Sequence, residues 1–294
     1  MEVTTTIGCK INCAYCPQDK LIRAYKSIGG IPKKMTLDSY KTILNKIPLS
    51  EVIAFSGFSE PWLNPQCTEM VLHTHNAGYK IAVFTTTVGM NKSDVEKIKI
   101  IPFKDFCLHL PDIEGYAKIN VDNDYLQILD TIINGDIHNC KLMTMGTLPN
   151  QVKKIIGKNI SPTKMVSRAG HVLGRSDIKI PPRLTGVIRC RSCGDFLNHI
   201  VVIPNGDVVL CCYDFGLQHI LGNIITSDYN SLFTSETFKR LRLGLDDDSV
   251  ELLCRYCENA STLDDYERLG RSRIINLKND FLKKVRSVLK GFNQ

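Results

Sequence analysis

The sequence lacks the marks of a secreted or membrane-spanning chain. It opens Met1-Glu2-Val3-Thr4-Thr5-Thr6, with no basic start and no apolar stretch behind it, so no signal peptide is expected. No run of about 18 apolar residues occurs, and no spanning helix is expected. Nor is there an internal repeat or a low-complexity tract, and disorder is expected only at the C-terminal end. Basic residues outnumber acidic ones by 37 to 30, a net charge of +7. That excess is scattered until the tail. It draws no stripe for nucleic acid and fits an anionic substrate or cofactor instead. A cytoplasmic protein without a nucleic-acid partner is expected.

Cysteine is the anomaly, with 12 in 294 residues. In a reducing compartment these are not expected to be disulfides, and thiols at short spacings point to metal. The rest of the composition is ordinary: 43% hydrophobic, 23% charged, mean hydropathy −0.07. Such a chain buries a core, and its length suits one domain plus a smaller appendage.

Strand and helix patterns alternate along the first part. Expected strands are Val3–Ile7, Glu51–Ser56, Ile81–Thr85, Phe106–Leu110, Lys141–Met145 and Lys164–Val166. Between them lie a helix capped by Thr36 and helices over Pro65–Ala77, Ser93–Ile100, Tyr125–Asn134 and Asn150–Lys158. Alternation of this kind predicts parallel βαβ units. Six units of about 30 residues fill residues 1–182, whereas a closed eight-unit barrel needs about 250. The expected fold class is therefore α/β, a partial (β/α)6 TIM-like barrel with ligands on the loops after its strands. Beyond Pro181-Pro182 the pattern changes. Asn205-Gly206 between Ile200–Ile203 and Val208–Leu210 signals a hairpin, with six cysteines around it. Residues 183–260 are read as a small metal-stapled appendage, and 261–294 as a charged helical tail.

Cys9-Lys-Ile-Asn-Cys13-Ala-Tyr15-Cys16 lies directly after the first expected strand. Three soft thiolates in one short loop suit one face of an iron–sulfur cube, and the missing fourth ligand leaves one iron open. A structural zinc site is the competing reading, but zinc favours CxxC pairs. This segment resembles the CxxxCxΦC motif of the radical SAM superfamily, with Tyr15 in the aromatic place. The resemblance implies that Cys9, Cys13 and Cys16 hold a [4Fe–4S] cluster. Its open iron chelates S-adenosylmethionine, and one electron then yields a 5′-deoxyadenosyl radical. Phe55-Ser-Gly57-Phe-Ser59-Glu60-Pro61 resembles the family's segment for the amino group of that cofactor; Gly57, Glu60 and Pro61 match it, and Ser59 departs from its glycine. Thr86 and Thr87, His109, and Ser167 with Arg168 fall at later strand ends, where the family contacts cofactor or substrate. His109 and Arg168 are the candidate catalytic residues.

The appendage carries Cys190, Cys193, the pair Cys211-Cys212, and Cys254-Arg-Tyr-Cys257. Spacing alone leaves zinc ribbon and iron–sulfur both open. The hairpin with its paired cysteines and Leu221-Gly222-Asn223-Ile224 resembles the SPASM/twitch extension of radical SAM enzymes. Six cysteines suit one auxiliary [4Fe–4S] cluster. The resemblance assigns Cys193, Cys211, Cys254 and Cys257, with Cys190 or Cys212 as substitutes.

A low-potential electron donor such as flavodoxin or ferredoxin is then implied, as is a small hydroxylated, sugar- or cyclitol-like substrate. Dehydrogenation of an alcohol leads, since short twitch-type relatives oxidise alcohols. Epimerisation with a cysteine hydrogen donor and peptide modification follow; the last ranks lower because the barrel begins at residue 3. In the tail, Leu277, Phe281, Val285, Val288 and Leu289 form one apolar stripe on a helix expected over Asn276–Lys290. Docking of that stripe on the protein is expected ahead of peripheral membrane contact.

Overall fold

The computed structural model describes residues 1–194 and 196–269. Five strands run parallel: β1 (Glu2–Val3), β2 (Val52–Phe55), β3 (Lys80–Thr85), β4 (Asp105–His109) and β5 (Cys140–Met143), in the order β5-β4-β3-β2-β1. Between them come α1 (Gln18–Ser27), α2 (Leu37–Leu44), α3 (Cys67–Asn76), α4 (Lys92–Ile98) and α5 (Asn123–Asn134); α6 (Asn150–Ile156) follows β5. Local chemistry sets the helix starts. Thr36 accepts from Ser39 N, Asn91 and Asp94 form a reciprocal capping box, and Asp122 accepts from Tyr125 N.

The strands alternate as period two demands. In β4, Phe106 and Leu108 are fully buried against the helices, while Asp105, Cys107 and His109 are half-buried on the inner face. Every second residue of each strand therefore looks into a shared lumen, and the strand ends set its mouth.

The fold class is the one expected, a curved parallel sheet with helices and a C-terminal appendage. Its sixth unit differs. Lys164–Val166 forms no strand, and Thr163 N donating to Thr144 O at 2.7 Å ties that segment beside β5. Pro162, two residues ahead of that run, has no donor of its own and stiffens the approach to it. α1 falls where the sequence pattern predicts no helix. Its buried Gln18, Leu21 and Tyr25 fall at helical spacing behind the cysteine loop.

The appendage hairpin joins the main sheet. β7 (Val201–Val202) pairs parallel with β1, Glu2 opposite Val201, and β8 (Asp207–Val209) and β9 (Ile220–Asn223) continue antiparallel. Among the described residues the sheet thus has eight strands. β6 (Ile188–Cys190) and β10 (Ala260–Thr262) pair separately, setting Cys190 opposite Ala260. α7 (Tyr229–Leu232) and α8 (Glu236–Leu243) lie between β9 and β10. The tail helix expected over Asn276–Lys290 lies outside the described residues. Among those described, no helix is long and apolar enough to cross a membrane.

Candidate functional site

β1 hands the chain to the cysteine loop at the C-terminal edge of the sheet. The loop is cross-tied. Asn12 N donates to Cys9 O, Cys16 N to Cys13 O at 3.0 Å, and Ala14 N to Tyr116 O at 2.8 Å. Gln18, which opens α1, is buried and binds this loop together. Its Oε1 accepts from Cys9 N at 3.1 Å, and its Nε2 lies 3.1 Å from Cys16 Sγ and 2.5 Å from Phe58 O. Sequence reading missed Gln18 because the helix that presents it was missed.

A cavity of about 720 Å³ opens here. Cys9, Cys13, Tyr15, Cys16, Gly57, Ser59, Glu60, Thr86, His109 and Arg168 all line it. Residues from three βα loops, the end of β4 and one later turn thus converge on one space. Pro61, Thr87 and Ser167 do not line it. Pro61 O accepts from Thr5 Oγ1, Thr87 is buried with its hydroxyl unpartnered, and Ser167 Oγ accepts from Gly170 N at 2.8 Å. Burial pushes the thiols of Cys9, Cys13 and Cys16 up, Cys16 to about 11.

The Gly57–Pro61 segment is shaped by close approach. A Cβ on Gly57 would lie 2.2 Å from Thr4 Oγ1, and φ is +85°, so only glycine fits. Ser59 Oγ donates to Thr6 O at 2.6 Å. Glu60 is buried, and its carboxylate takes four hydrogen bonds: Trp62 N at 3.2 Å, Thr85 Oγ1 at 2.7 Å, Thr86 N at 2.6 Å and Thr86 Oγ1 at 2.7 Å. A carboxylate offers about four lone-pair sites, so these bonds saturate it. Burial pushes the carboxyl up against those bonds. In this state Glu60 braces the end of β2 to the end of β3.

His109 lies against Tyr15 with ring centroids 5.5 Å apart, and the phenol oxygen is 3.1 Å from Nε2. Burial and the charge of Arg168 push His109 down to about 4, so its ring is neutral near pH 7. Arg168 has φ +53°, its guanidinium stacks on Tyr213 at 5.0 Å, and its Nε is buried without a partner. Glu258 accepts from Ser167 N and, at 3.3 Å, from Ala169 N. His171 Nδ1 lies 2.9 Å from Tyr213 O. The turn carrying Arg168 is thus bolted to the appendage by Glu258 and Tyr213. No motif in the sequence marks either residue.

The remaining thiols separate into groups. Cys190 and Cys193 share a hydrogen bond, and Cys254 and Cys257 lie within electrostatic reach of Cys190. Burial pushes Cys254 and Cys257 up, Cys257 to about 11. His219 joins the hairpin to the last cysteine loop: its carbonyl accepts from Leu210 N, and its Nε2 from Leu253 N, both at 3.0 Å. Leu210 and Leu253 immediately precede Cys211 and Cys254. Cys212 instead lines the cavity with Arg168, and so does Cys107 on β4. Cys67 is fully buried and Cys140 half-buried, away from that lining.

Among the described residues, no three His, Cys, Asp or Glu side chains meet around a point where one metal ion would sit. The donors are nevertheless those of a multi-iron cluster, soft thiols on short loops beside an accessible cavity. Arg168 lines that same cavity, and its Nε is buried without a partner.

Residues 190–258 match the model of SPASM, an iron–sulfur cluster-binding domain. No curated protein matches the chain. Among solved structures, the chain is similar to BtrN in complex with AdoMet and 2-DOIA at 16% identity and TM-score 0.59, covering 89% of this chain and 92% of that one. It is similar to anSMEcpe with bound AdoMet at 13% identity and TM-score 0.53, covering 95% and 99%. It is also similar to SuiB from Streptococcus suis, bound to precursor peptide SuiA, at 12% identity and TM-score 0.52, covering 82% of this chain and 66% of that one. The chain therefore shares the fold of these three structures, and its residues 190–258 match a SPASM iron–sulfur cluster-binding domain.

Proposed function

We propose that the protein is a radical SAM enzyme acting on a small hydroxylated substrate. In this reading residues 1–182 bind S-adenosylmethionine, with Cys9, Cys13 and Cys16 on a [4Fe–4S] cluster that keeps one iron open. Cys193, Cys211, Cys254 and Cys257, within residues 183–260, hold an auxiliary [4Fe–4S] cluster. When bound, these groups supply a 5′-deoxyadenosyl radical for hydrogen abstraction and a one-electron acceptor. An external low-potential donor, flavodoxin or ferredoxin in class, is required.

Arg168 carries the reading. Arg168 lines the cavity shared by the three loop thiols, and its Nε is buried without a partner. It suits an oxygen that becomes anionic, because charge-assisted hydrogen bonds strengthen as the acceptor gains charge. Alcohol dehydrogenation develops such an oxygen at the carbinol. Tyr213 holds the guanidinium plane, and neutral His109 places no second cation beside it. A neighbour in fold that holds 2-DOIA beside AdoMet supports a small-molecule substrate.

One observation favours a second reading. Cys107 lines the same cavity, two residues before His109 on the inner face of β4. A thiol there suits an epimerase that returns a hydrogen atom to the substrate.

Anaerobic reconstitution is expected to give about eight irons per chain, two four-iron clusters. The reduced protein is expected to convert S-adenosylmethionine to 5′-deoxyadenosine and methionine. Zinc in place of iron, or a reduced protein that leaves the cofactor intact, overturns the proposal.

A further inference from the structure

Residues 10–34 hold six basic side chains, Lys10, Lys20, Arg23, Lys26, Lys33 and Lys34, against one acid, Asp19. Lys20 turns toward the appendage, where its Cε approaches Gly216. The other five are exposed. Three isoleucines lie among them with unusual exposure: Ile22 at 38%, Ile28 at 39% and Ile31 at 80%. An apolar centre with a charged rim is the anatomy of a protein-binding patch.

The patch adjoins the first cysteine loop. Lys10 stands inside it, between Cys9 and Cys13. Ile22 lies over its entry, since a Cβ built on Gly8 would meet Ile22 Cδ1 at 3.7 Å. Lys34 bridges Thr6, and Ile7 N donates to Lys33 O at 2.7 Å, so both lysines flank the strand end leading to Cys9. The substrate cavity lies inside the barrel, whereas this face lies outside it, on α1 and the 28–34 turn. The loop whose three thiols line the cavity thus also carries Lys10 of the basic face and runs beside Ile22.

We infer that this surface, Lys10, Arg23, Lys26, Lys33 and Lys34 around Ile22, Ile28 and Ile31, docks an acidic one-electron carrier protein. The inference rests on the proposed radical SAM reading. One electron leaves the carrier's reduced flavin or iron–sulfur group and enters the cluster on Cys9, Cys13 and Cys16, oxidising the one and reducing the other. A partner with an acidic face fits because the local charge is one-signed. Encounters of this kind are small, salt-sensitive and steered by charge, which accelerates association by ~10–10³-fold.

The test uses the reconstituted full chain and a flavodoxin, comparing wild type with Arg23→Glu/Lys26→Glu/Lys33→Glu/Lys34→Glu. Binding of oxidised flavodoxin, read by calorimetry, is expected to weaken at least tenfold in the variant and to lose its salt dependence. Cleavage of S-adenosylmethionine driven by reduced flavodoxin is expected to fall similarly, while cleavage driven by dithionite is unchanged. Unaltered flavodoxin binding in the variant overturns the docking site. So does charge-dependent binding of wild type to anionic phosphatidylserine vesicles with none to flavodoxin, since the patch then serves a membrane. If the parent reading fails instead, dithionite gives no cleavage even in wild type, a result separable from either.

Discussion

Glu258 fixes Arg168 without touching its guanidinium. Its carboxylate accepts from the backbone of Ser167 and Ala169, the residues on either side of an arginine held at φ +53°. Glu258 follows Cys257, so the last cysteine loop and the cavity wall share one anchor. Glu258→Ala strands two backbone donors, and such losses run to about 1–3 kcal/mol each when buried. The variant is expected to melt lower and to raise KM for substrate several-fold, with Glu258→Gln, which keeps an acceptor, in between. An unchanged KM with a lowered Tm would confine Glu258 to stability.

Glu60→Ala removes the acceptor of four hydrogen bonds linking β2, β3 and the turn after Glu60. A loss of roughly 2–4 kcal/mol in unfolding free energy is expected, partly offset by water entering the space. Affinity for S-adenosylmethionine, measured on folded protein, is expected to fall in parallel. Glu60→Gln retains the shape and one acceptor oxygen. If it keeps full stability but loses the cofactor, the negative charge itself contacts the ligand; wild-type affinity in both variants would restrict Glu60 to bracing the strands.

Iron counts separate the thiols. Changing Cys9, Cys13 and Cys16 together to alanine should leave about four irons. Cys211→Ser should remove the other four, because His219 ties its hairpin to the Cys254 loop. Cys190→Ser removes the thiol that hydrogen-bonds Cys193 and lies near Cys254 and Cys257, and with Cys193 as the ligand the count is expected to stay intact. A full count in Cys193→Ser with loss in Cys190→Ser would give Cys190 the place of Cys193.

His109 gives the fold an acid sensitivity of definite sign. Its folded pKa is about 4 against an ordinary 6.5, so between these values the unfolded chain binds the proton and the folded one does not. Stability therefore falls as pH drops from about 6.5 to 4, by up to about 3 kcal/mol for this group. In apo-protein melts, His109→Gln should flatten that slope. An identical slope in the variant would assign the acid loss to other groups.

Hydrogen bookkeeping divides the two reactions. In D₂O, dehydrogenation gives a product two mass units lighter with no solvent deuterium at carbon, and Cys107→Ala leaves turnover intact. Epimerisation gives one deuterium at the reacting carbon and stops in Cys107→Ala. The first pair of results is expected; deuterium at carbon would reverse the ranking.

The cysteine spacings, Tyr15 and Gly57 were legible in the chain because their chemistry is local. Three thiols must share one short loop to face one cluster, and a glycine is required wherever a backbone passes against Thr4. Alternating strands and helices were legible for the same reason, since hydrophobic period and capping act within a few residues. The missing sixth strand and the missed α1 lie where one proline or one short apolar stripe decides an element.

Contacts across large sequence separations were decided by tertiary structure alone. Glu60 reaches Thr85 and Thr86 across two strands, Glu258 reaches back to Ser167, and β7 of the appendage pairs with β1 of the barrel. Tyr213 and Gln18 carry no motif; their roles follow from which backbone they meet. Local pattern in this sequence specifies most of its elements and the spacing of its thiols. Packing decides which polar groups are saturated and which, like Arg168 Nε, are buried without a partner, because hydrogen-bond partners come from wherever the fold brings the chain together.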